Sequence, residues 1–314
     1  VLTGLFANTI GIDWALDPVA IHGAMALAVL ALAPWKSVVV RRGLAKRKRG
    51  RLQSLLLLTL VMIALASGLL HSTGLSDRIG PLTLMQIHIG TALLALPLAY
   101  THYRRHPVRP RATDLQRRAF IRAGTLAATA GATWLGWEGV ARAIGWPGAE
   151  RRFTGSHEKG SHHPETMPVT SWLDDRPPQV DPATWRLRIG GVTCGLDDLA
   201  SFPQEGIRAV LDCTSGWYSE QVWSGIRLDR LVDPRGRRSV EVRSITGYSR
   251  RFPTRDLDRL WLVTTVGGKP LSSGHGYPAR IVAPDRRGFW WVKWVVSIEP
   301  SDRPWWLQLP FPAT

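Results

Sequence analysis

SLLLLTLVMIALASGLL, Ser54 to Leu70, decides the fold of the first half of the chain: 17 residues, none of them charged. A helix that is apolar on every side has no solvent face to offer, so it belongs inside a bilayer rather than on a globular surface. Three further runs flank it. PVAIHGAMALAVLALAPWKSVVV covers Pro18 to Val40 and spans a bilayer if Lys36 reaches back to the interface. PLTLMQIHIGTALLALPLAY covers Pro81 to Tyr100. AFIRAGTLAATAGATWLGW, Ala119 to Trp137, is weaker, being rich in Ala, Gly and Thr. Residues 1–17 are too short for another span and are expected at the outer surface. The chain starts at Val1 without a Met, which fits an incomplete or processed N-terminus.

Charge placement supports the same reading. The formal net charge is +16, which by itself suggests nucleic acid or an anionic surface as partner. Yet the bases are concentrated. RRGLAKRKRGR, Arg41 to Arg51, has seven bases and no acid. RRHPVRPRATDLQRRAFIR, Arg104 to Arg122, has seven bases and one acid, Asp114. A nucleic-acid face spreads its bases over a folded surface among aromatics, whereas these two clusters bracket apolar runs, the pattern of cytoplasmic loops. No nucleic-acid partner is therefore expected. With both clusters inside, loop 72–80 lies outside, and the fourth helix leads out. Everything after about Trp146 is then external, at the outer face of a bacterial cytoplasmic membrane. The expected architecture is an N-terminal all-α transmembrane four-helix domain (1–147) and a C-terminal mixed α/β, strand-rich domain (148–314).

Polar side chains within such helices are costly and mark function. His22, His71 and His88 fall at outer depth, and His102 near the inner end of the third helix. His88 and His102 are 14 residues apart, about 21 Å along one helix face, a spacing that suits two stacked haems. His22 with His88 is the favoured pair for an outer haem b, since helices one and three sit diagonally in an antiparallel bundle. His71 is the reserve ligand. His102 has only Lys36 at its depth, which leaves a second haem open. Bonding between helices is the alternative role for all four histidines. His106, before Pro107, reads as a loop residue.

QRRAFIRAG, Gln116 to Gly124, fits a twin-arginine export signal and fits an ordinary positive-inside flank equally, with Gln116 where Ser or Thr is usual. Beyond Gly148, Pro, Gly and charge increase, and ten of the 15 Trp occur there. TWRLRIGGV, SVEVRSITGY, LWLVTTV, ARIVAPD and WWVKWVVSIEP read as strands; DDLASFP, GIRLDRLVD and TRDLDRLWL read as short helices. Two cysteines exclude a disulfide framework and a four-cysteine zinc site. Cys213 closes a strand-like run and precedes a Gly-containing loop with two Trp. Its thiolate suits a soft metal, but a small buried hydrophobe or a disulfide with Cys194 fits the bare sequence as well. GHGYPARIVAPDRRGFWWVKW, Gly274 to Trp294, gathers His275, Arg280, Arg286, Arg287 and Lys293 among turns, a donor set for an anionic group.

Three ordered motifs then carry a resemblance over roughly residues 150–314. Cys213 is followed by Gly216-Trp217 and by Trp223, Gly225, Leu228 and Leu231; next come His275-Gly276, Pro278, Arg280 and Pro284; last come Gly288 and Trp291-Val292-Lys293-Trp294. The segment resembles the molybdopterin domain of the sulfite oxidase family, most closely its bacterial sulfoxide-reductase branch. The resemblance implies Cys213 as the molybdenum ligand, with His275, Arg280 and Lys293 on the pterin and its phosphate and Arg287 as a further phosphate candidate. The membrane half is similar to the haem b anchors that partner such domains, here fused into one polypeptide. The resemblance further implies oxygen-atom transfer to or from a small oxo-acceptor or oxo-donor, with quinone or quinol as carrier. A sulfite-type oxidase running the other way, and a cofactor-free membrane-anchored binding module, are the alternatives. Tyr218 and Tyr248 are expected near the open metal position. Phe153 to Pro168 is expected at the cofactor mouth, with His157, His162 and His163 either on a metal or in a solvated loop.

Overall fold

The computed structural model describes residues 1–46, 50–105, 107, 116–171 and 175–309. Residues 47–49 of the first basic cluster, and His106 and 108–115 of the second, lie outside them. The chain divides into two compact units: Val1–Asn8 with Asp13–His157, and Thr9–Ile12 with Glu158–Thr314.

The first unit is helical: α1 (Leu2–Thr9), α2 (Leu16–Lys46), α3 (Arg51–Thr73), α4 (Leu84–Arg105) and α5 (Arg117–Ala143). Each apolar run becomes a helix longer than the run itself. Asp13–Pro34, Arg51–Thr73 and Leu84–Arg105 are long and apolar enough to cross a membrane. The 23 residues of α3 would extend about 34 Å, the thickness of a hydrocarbon core. The fourth helix, α5, has the length, at 27 residues, but is not among the three spans, because its Ala, Gly and Thr residues contribute little apolar surface. Four spans are thus not established.

Local chemistry sets the ends and tolerates the breaks. α3 stops at Gly74, in the left-handed region, whose N–H returns to the His71 carbonyl at 3.1 Å. α4 starts three residues later than the apolar run, because Thr83 and Gln86 form a capping box: Gln86 N–H donates to Thr83 Oγ1 (3.1 Å) and Thr83 N–H to Gln86 Oε1 (2.8 Å). Ahead of it a small hairpin, β1 (Arg78–Ile79) and β2 (Leu82–Thr83), occupies the expected outer loop. Pro34 lies within α2 and Pro97 within α4. Hydroxyls inside the helices are satisfied by the preceding turn, as with Ser67 on the Ile63 carbonyl and Thr91 on that of Ile87, both at 2.7 Å. Leu55, Leu56, Leu58, Met62 and Ile63 are exposed, a surface that lipid would cover. α3 packs on α4 and α2 on α5.

The unit's last segment is anchored to this bundle. Gly148 lies so close to α3 that a Cβ there would meet the Ser72 carbonyl at 1.9 Å, and Arg151 pairs with Glu138 of α5. That packing carries the helical unit ten residues past the expected boundary at 147.

The second unit contains β3 (His157–Glu158, its first residue counted with the helices), β4 (Leu187–Ile189), β5 (Val192–Cys194), α6 (Leu196–Ala200), β6 (Glu205–Cys213), β7 (Trp217–Arg227), β8 (Ser239–Ser244), β9 (Ser249–Pro253), β10 (Trp261–Val266), β11 (Lys269–Pro270), β12 (Arg280–Val282) and β13 (Val295–Ser301). One sheet is built on β7, which pairs antiparallel with β6 along its length and with β10 near its end; β11 and β12 add to β10. The other runs β5-β4-β13-β8-β9, with β4 and β13 parallel and the rest antiparallel. All five expected strand segments contain strands. The loop expected after Cys213 is a correction: only Thr214–Gly216 turn, and Trp217 already pairs with Cys213. β7 alternates inward Trp217, Ser219, Gln221 and Trp223 with partly or fully exposed residues. Half of its inward residues are polar, which hides the period of two. GIRLDRLVD and TRDLDRLWL supply only the 3₁₀ turns Leu228–Arg230 and Thr254–Arg259 besides strand residues.

Candidate molybdopterin site

Cys213 ends β6 with its side chain buried, and three groups fix its position. Ser215 Oγ lies 3.1 Å from its Sγ. Gly216 N–H donates to its carbonyl at 3.1 Å, and Arg287 Nη2 donates to the same carbonyl at 3.1 Å. Both cysteines are free, so the disulfide is absent; Cys194 sits on β5 in the other sheet, with Sγ 3.5 Å from the Leu187 carbonyl.

The donor-rich stretch folds back on this point. Ser272 caps the Ser273–His275 turn. Gly276 follows with φ of 107°, a backbone state that suits glycine, and a Cβ there would stand 3.0 Å from Arg280 Cβ and 3.2 Å from Lys293 Cβ. The His-Gly pair thus lets both cations approach one turn. Arg280 is buried against the edge-to-face pair Trp223 and Trp291, its Cζ 5.1 and 5.5 Å from their centroids. It donates to the carbonyls of His275 (3.0 Å) and Trp291 (3.4 Å), and its Nε is buried with no hydrogen-bond partner among the described residues. Lys293 Nζ donates to the carbonyls of Gly274 (2.6 Å) and Thr170 (2.9 Å), which leaves one of its three N–H donors. His275 Nε2 contacts the Met167 carbonyl at 3.1 Å, so that nitrogen carries the proton, and Nδ1 accepts from Ser272 Oγ at 2.8 Å.

Electrostatics separate these cations from the other arginines. Burial first, and Arg280's charge second, push Lys293 down to about 7; the Cys213 charge acts the other way. Burial pushes Arg280 down to about 9, again against Cys213, so both cations have the same cysteine as a neighbour. His275 is pushed down to about 4 by burial, then by Arg280 and Lys293, so its ring is neutral at pH 7. Among the described residues neither Arg280 nor Lys293 forms an ion pair with a carboxylate. Arg287, by contrast, is ion-paired with Asp212 in a fully buried contact, and Arg286 is paired with Asp256 and stacked on Trp290 at 4.5 Å.

Other expected neighbours fall elsewhere. The Tyr248 hydroxyl donates to the Phe289 carbonyl, and burial pushes its pKa up, so it stays protonated. Tyr218 pairs with Asp212 in the hairpin, one position from Cys213. His162 and His163 are exposed beside Glu220 and Glu165. Among the described residues no three His, Cys, Asp or Glu are placed to hold a metal together. The sequence does not disclose Thr170, whose Oγ1 accepts from Trp217 Nε1 (3.1 Å) and lies 3.2 Å from Ser215 Oγ. It sits 43 residues before Cys213, in a segment with no local pattern to mark it.

In the helical unit His22 and His88 meet, their ring centroids 5.7 Å apart. His71 Nε2 contacts the Gly155 carbonyl (3.0 Å) and its ring packs on His157. His102 is half-buried near the end of α4.

A buried cysteine beside two cations that, among the described residues, have no carboxylate ion pair, and beside a buried guanidinium Nε without a hydrogen-bond partner among them, suits an anionic, sulfur-bound metal cofactor. Comparison with known proteins agrees. Residues 174–306 match the family model described as the oxidoreductase molybdopterin binding domain. Human mitochondrial sulfite oxidase is 28% identical over 168 residues, covering 40% of this chain and 31% of its own. An uncharacterized oxidoreductase, YuiH, of Bacillus subtilis (strain 168) is 25% identical over 160 residues, covering 46% of this chain and 81% of its own. The sulfane dehydrogenase SoxCD of Paracoccus pantotrophus is a similar solved structure, with 25% identity, a TM-score of 0.38 and 40% of each chain covered. The match thus spans about a third of the length of the sulfite oxidases. The C-terminal part of the chain is a molybdopterin-binding oxidoreductase domain of the sulfite oxidase family. It is joined to a helical region with three candidate membrane spans.

Proposed function

We propose that the chain is a membrane-anchored molybdenum oxidoreductase that transfers an oxygen atom at a molybdopterin site and exchanges electrons with quinone through haem b. The observation that supports it most is the convergence of Cys213, Arg280 and Lys293. When bound, the cofactor supplies two-electron redox chemistry and oxygen-atom transfer. The chain's residues do the rest. Cys213 is the metal ligand. Lys293 and Arg280 hold the pterin phosphate, with Arg280 Nε and the third N–H of Lys293 as available donors. His275, neutral and oriented by Ser272, stands beside Arg280 and Lys293. Arg287, paired with Asp212, donates directly to the Cys213 carbonyl and so braces it rather than binding phosphate. Trp223 and Trp291 exclude water around Arg280.

The haem reading has its own support. His88 Nδ1 lies 2.7 Å from the Ala64 carbonyl, which only accepts, so Nδ1 carries the proton and Nε2 keeps its lone pair. His22 Nδ1 is held 3.1 Å from Thr3 Oγ1. This is the outer-shell arrangement of iron-bound imidazoles. Gly4 and Gly68 make room for the two rings, since a Cβ at either would come within 2.9 Å of them. His71, held to Gly155, fits a structural role. His102 would serve only a second haem.

A sulfoxide-type reductase drawing on quinol is the favoured direction, and a sulfite-type oxidase is the alternative. The basic loops support a C-terminal domain outside the cytoplasm, and Arg117-Arg118 would direct its folded export. Metal and pterin analysis of the purified full chain tests the reading. We expect molybdenum and pterin in equal amounts, a Soret band, and turnover of a small oxo-substrate with a quinol analogue. A chain without molybdenum overturns it.

A further inference from the structure

Three hydrogen bonds join Trp217, Thr170, Ser215 and Cys213 in a line. Trp217 Nε1 to Thr170 Oγ1 is 3.1 Å, Thr170 Oγ1 to Ser215 Oγ is 3.2 Å, and Ser215 Oγ to Cys213 Sγ is 3.1 Å. A hydroxyl can donate or accept, so the two middle groups do not choose a direction. The ends do. The indole N–H is donor only, and a thiolate that binds a metal has no proton to give. Thr170 therefore accepts from Trp217 and donates to Ser215, and Ser215 donates to the sulfur. We propose that this one-way chain is a tuning device: Ser215 withdraws electron density from the Cys213 sulfur, and Trp217 and Thr170 hold its hydroxyl in the donating orientation.

The surroundings keep the chain in place. Ser215 and Trp217 are buried. Thr170 is fixed from its other side by Lys293 Nζ on its carbonyl at 2.9 Å. Ser215 sits in the tight turn between β6 and β7, where Gly216 N–H closes on the Cys213 carbonyl. The sulfur and its donor are thus two residues apart on one rigid hairpin, whereas Thr170 arrives from a distant segment. A hydrogen bond to a ligand sulfur lowers its donation to the metal and so favours the reduced metal, raising the midpoint potential. Ser215 is a positioning residue in this scheme, acting on the metal through Cys213.

The proposal rests on the molybdenum reading, and its test separates the two. Molybdenum and pterin are first quantified in the wild-type holoenzyme; absence of metal there sinks that reading. Midpoint potentials are then measured by EPR-monitored potentiometry on metal-loaded full chain carrying Ser215→Ala, Ser215→Thr, Thr170→Val or Trp217→Phe. We expect a downward shift for Ser215→Ala, a smaller one in the same direction for Thr170→Val and Trp217→Phe, and a potential near wild type for Ser215→Thr. A merely structural Ser215 would change metal content or stability and leave the potential of the loaded fraction alone. Wild-type potential in loaded Ser215→Ala overturns the proposal. If that variant does not load, an unshifted potential in Thr170→Val overturns it instead.

Discussion

The helical unit and the catalytic unit carry their chemistry in opposite ways. In the first, the proposed function rests on rare polar residues in apolar helices: His22 and His88 are conspicuous against Leu and Ala, and each sits beside a glycine that gives it space. In the second, charge is common, and what singles out a residue is the partner it lacks. Arg286 and Arg287 have carboxylates; among the described residues the hydrogen bonds of Arg280 and Lys293 go to carbonyls, with no carboxylate ion pair. The sequence displays the first kind of signal directly. The second appears only once the chain is folded.

The largest expected effect sharpens this contrast. His22→Ala or His88→Ala should remove the haem's low-spin spectrum altogether, read as loss of the Soret and α bands, while molybdenum content stays at the wild-type level. His71→Ala should leave that spectrum in place. If His71→Ala bleaches the haem and His22→Ala does not, the pair comes from α3 and α4.

Next in size is the buried ion pair. Asp212→Ala leaves Arg287 charged and unpaired behind Cys213, at a cost of about 3–5 kcal/mol. Thermal unfolding of the full chain in detergent should show a lowered transition for the C-terminal domain. Asp212→Asn, which keeps a hydrogen bond, should fall between. Equal stability of all three would mean that Arg287 finds another partner.

A smaller effect concerns pH. Folding lowers His275 from 6.5 to about 4 and Lys293 from 10.5 to about 7, so between those values the unfolded chain binds more protons than the folded one. Stability of the cofactor-free chain should therefore rise with pH from about 4 to 6.5, and again from about 7 to 10.5. Lys293→Met should flatten the upper window between about pH 7 and 9, below the range in which Arg280, itself lowered to about 9, adds its own rise, and should leave the lower window, as followed by denaturant midpoints across pH. A slope that persists between about pH 7 and 9 in that variant places its source elsewhere. The smallest effect is none: His162→Ala and His163→Ala should keep full metal content, since both rings are solvent-facing.

Much of this architecture is legible in the sequence. The apolar runs set the helices, because a charge-free segment of that length has few alternatives. The five strand segments show through alternation bounded by Gly and Pro. β7 escapes that signal because Ser219 and Gln221 occupy its inward positions, where they bond each other and the Gly160 carbonyl. α5 reads as a fourth span, yet its small residues leave it short of the apolarity of the other three. At the site, Cys213, Arg280 and Lys293 stand out through ordered motifs. Arg287 and Arg280 look alike as letters; only the Asp212 carboxylate separates them. Thr170 has no local mark at all, since its role comes from tertiary contact alone.

The central claim is that the Cys213 sulfur binds molybdenum. X-ray absorption at the molybdenum edge of the purified full chain tests it most directly. The account predicts three sulfur neighbours in the wild type, two from the pterin dithiolene and one from Cys213, and two in metal-loaded Cys213→Ser with turnover reduced about 10³-fold or more, equivalent to ~4 kcal/mol. An unchanged sulfur count in Cys213→Ser, or full activity in that variant, would contradict it.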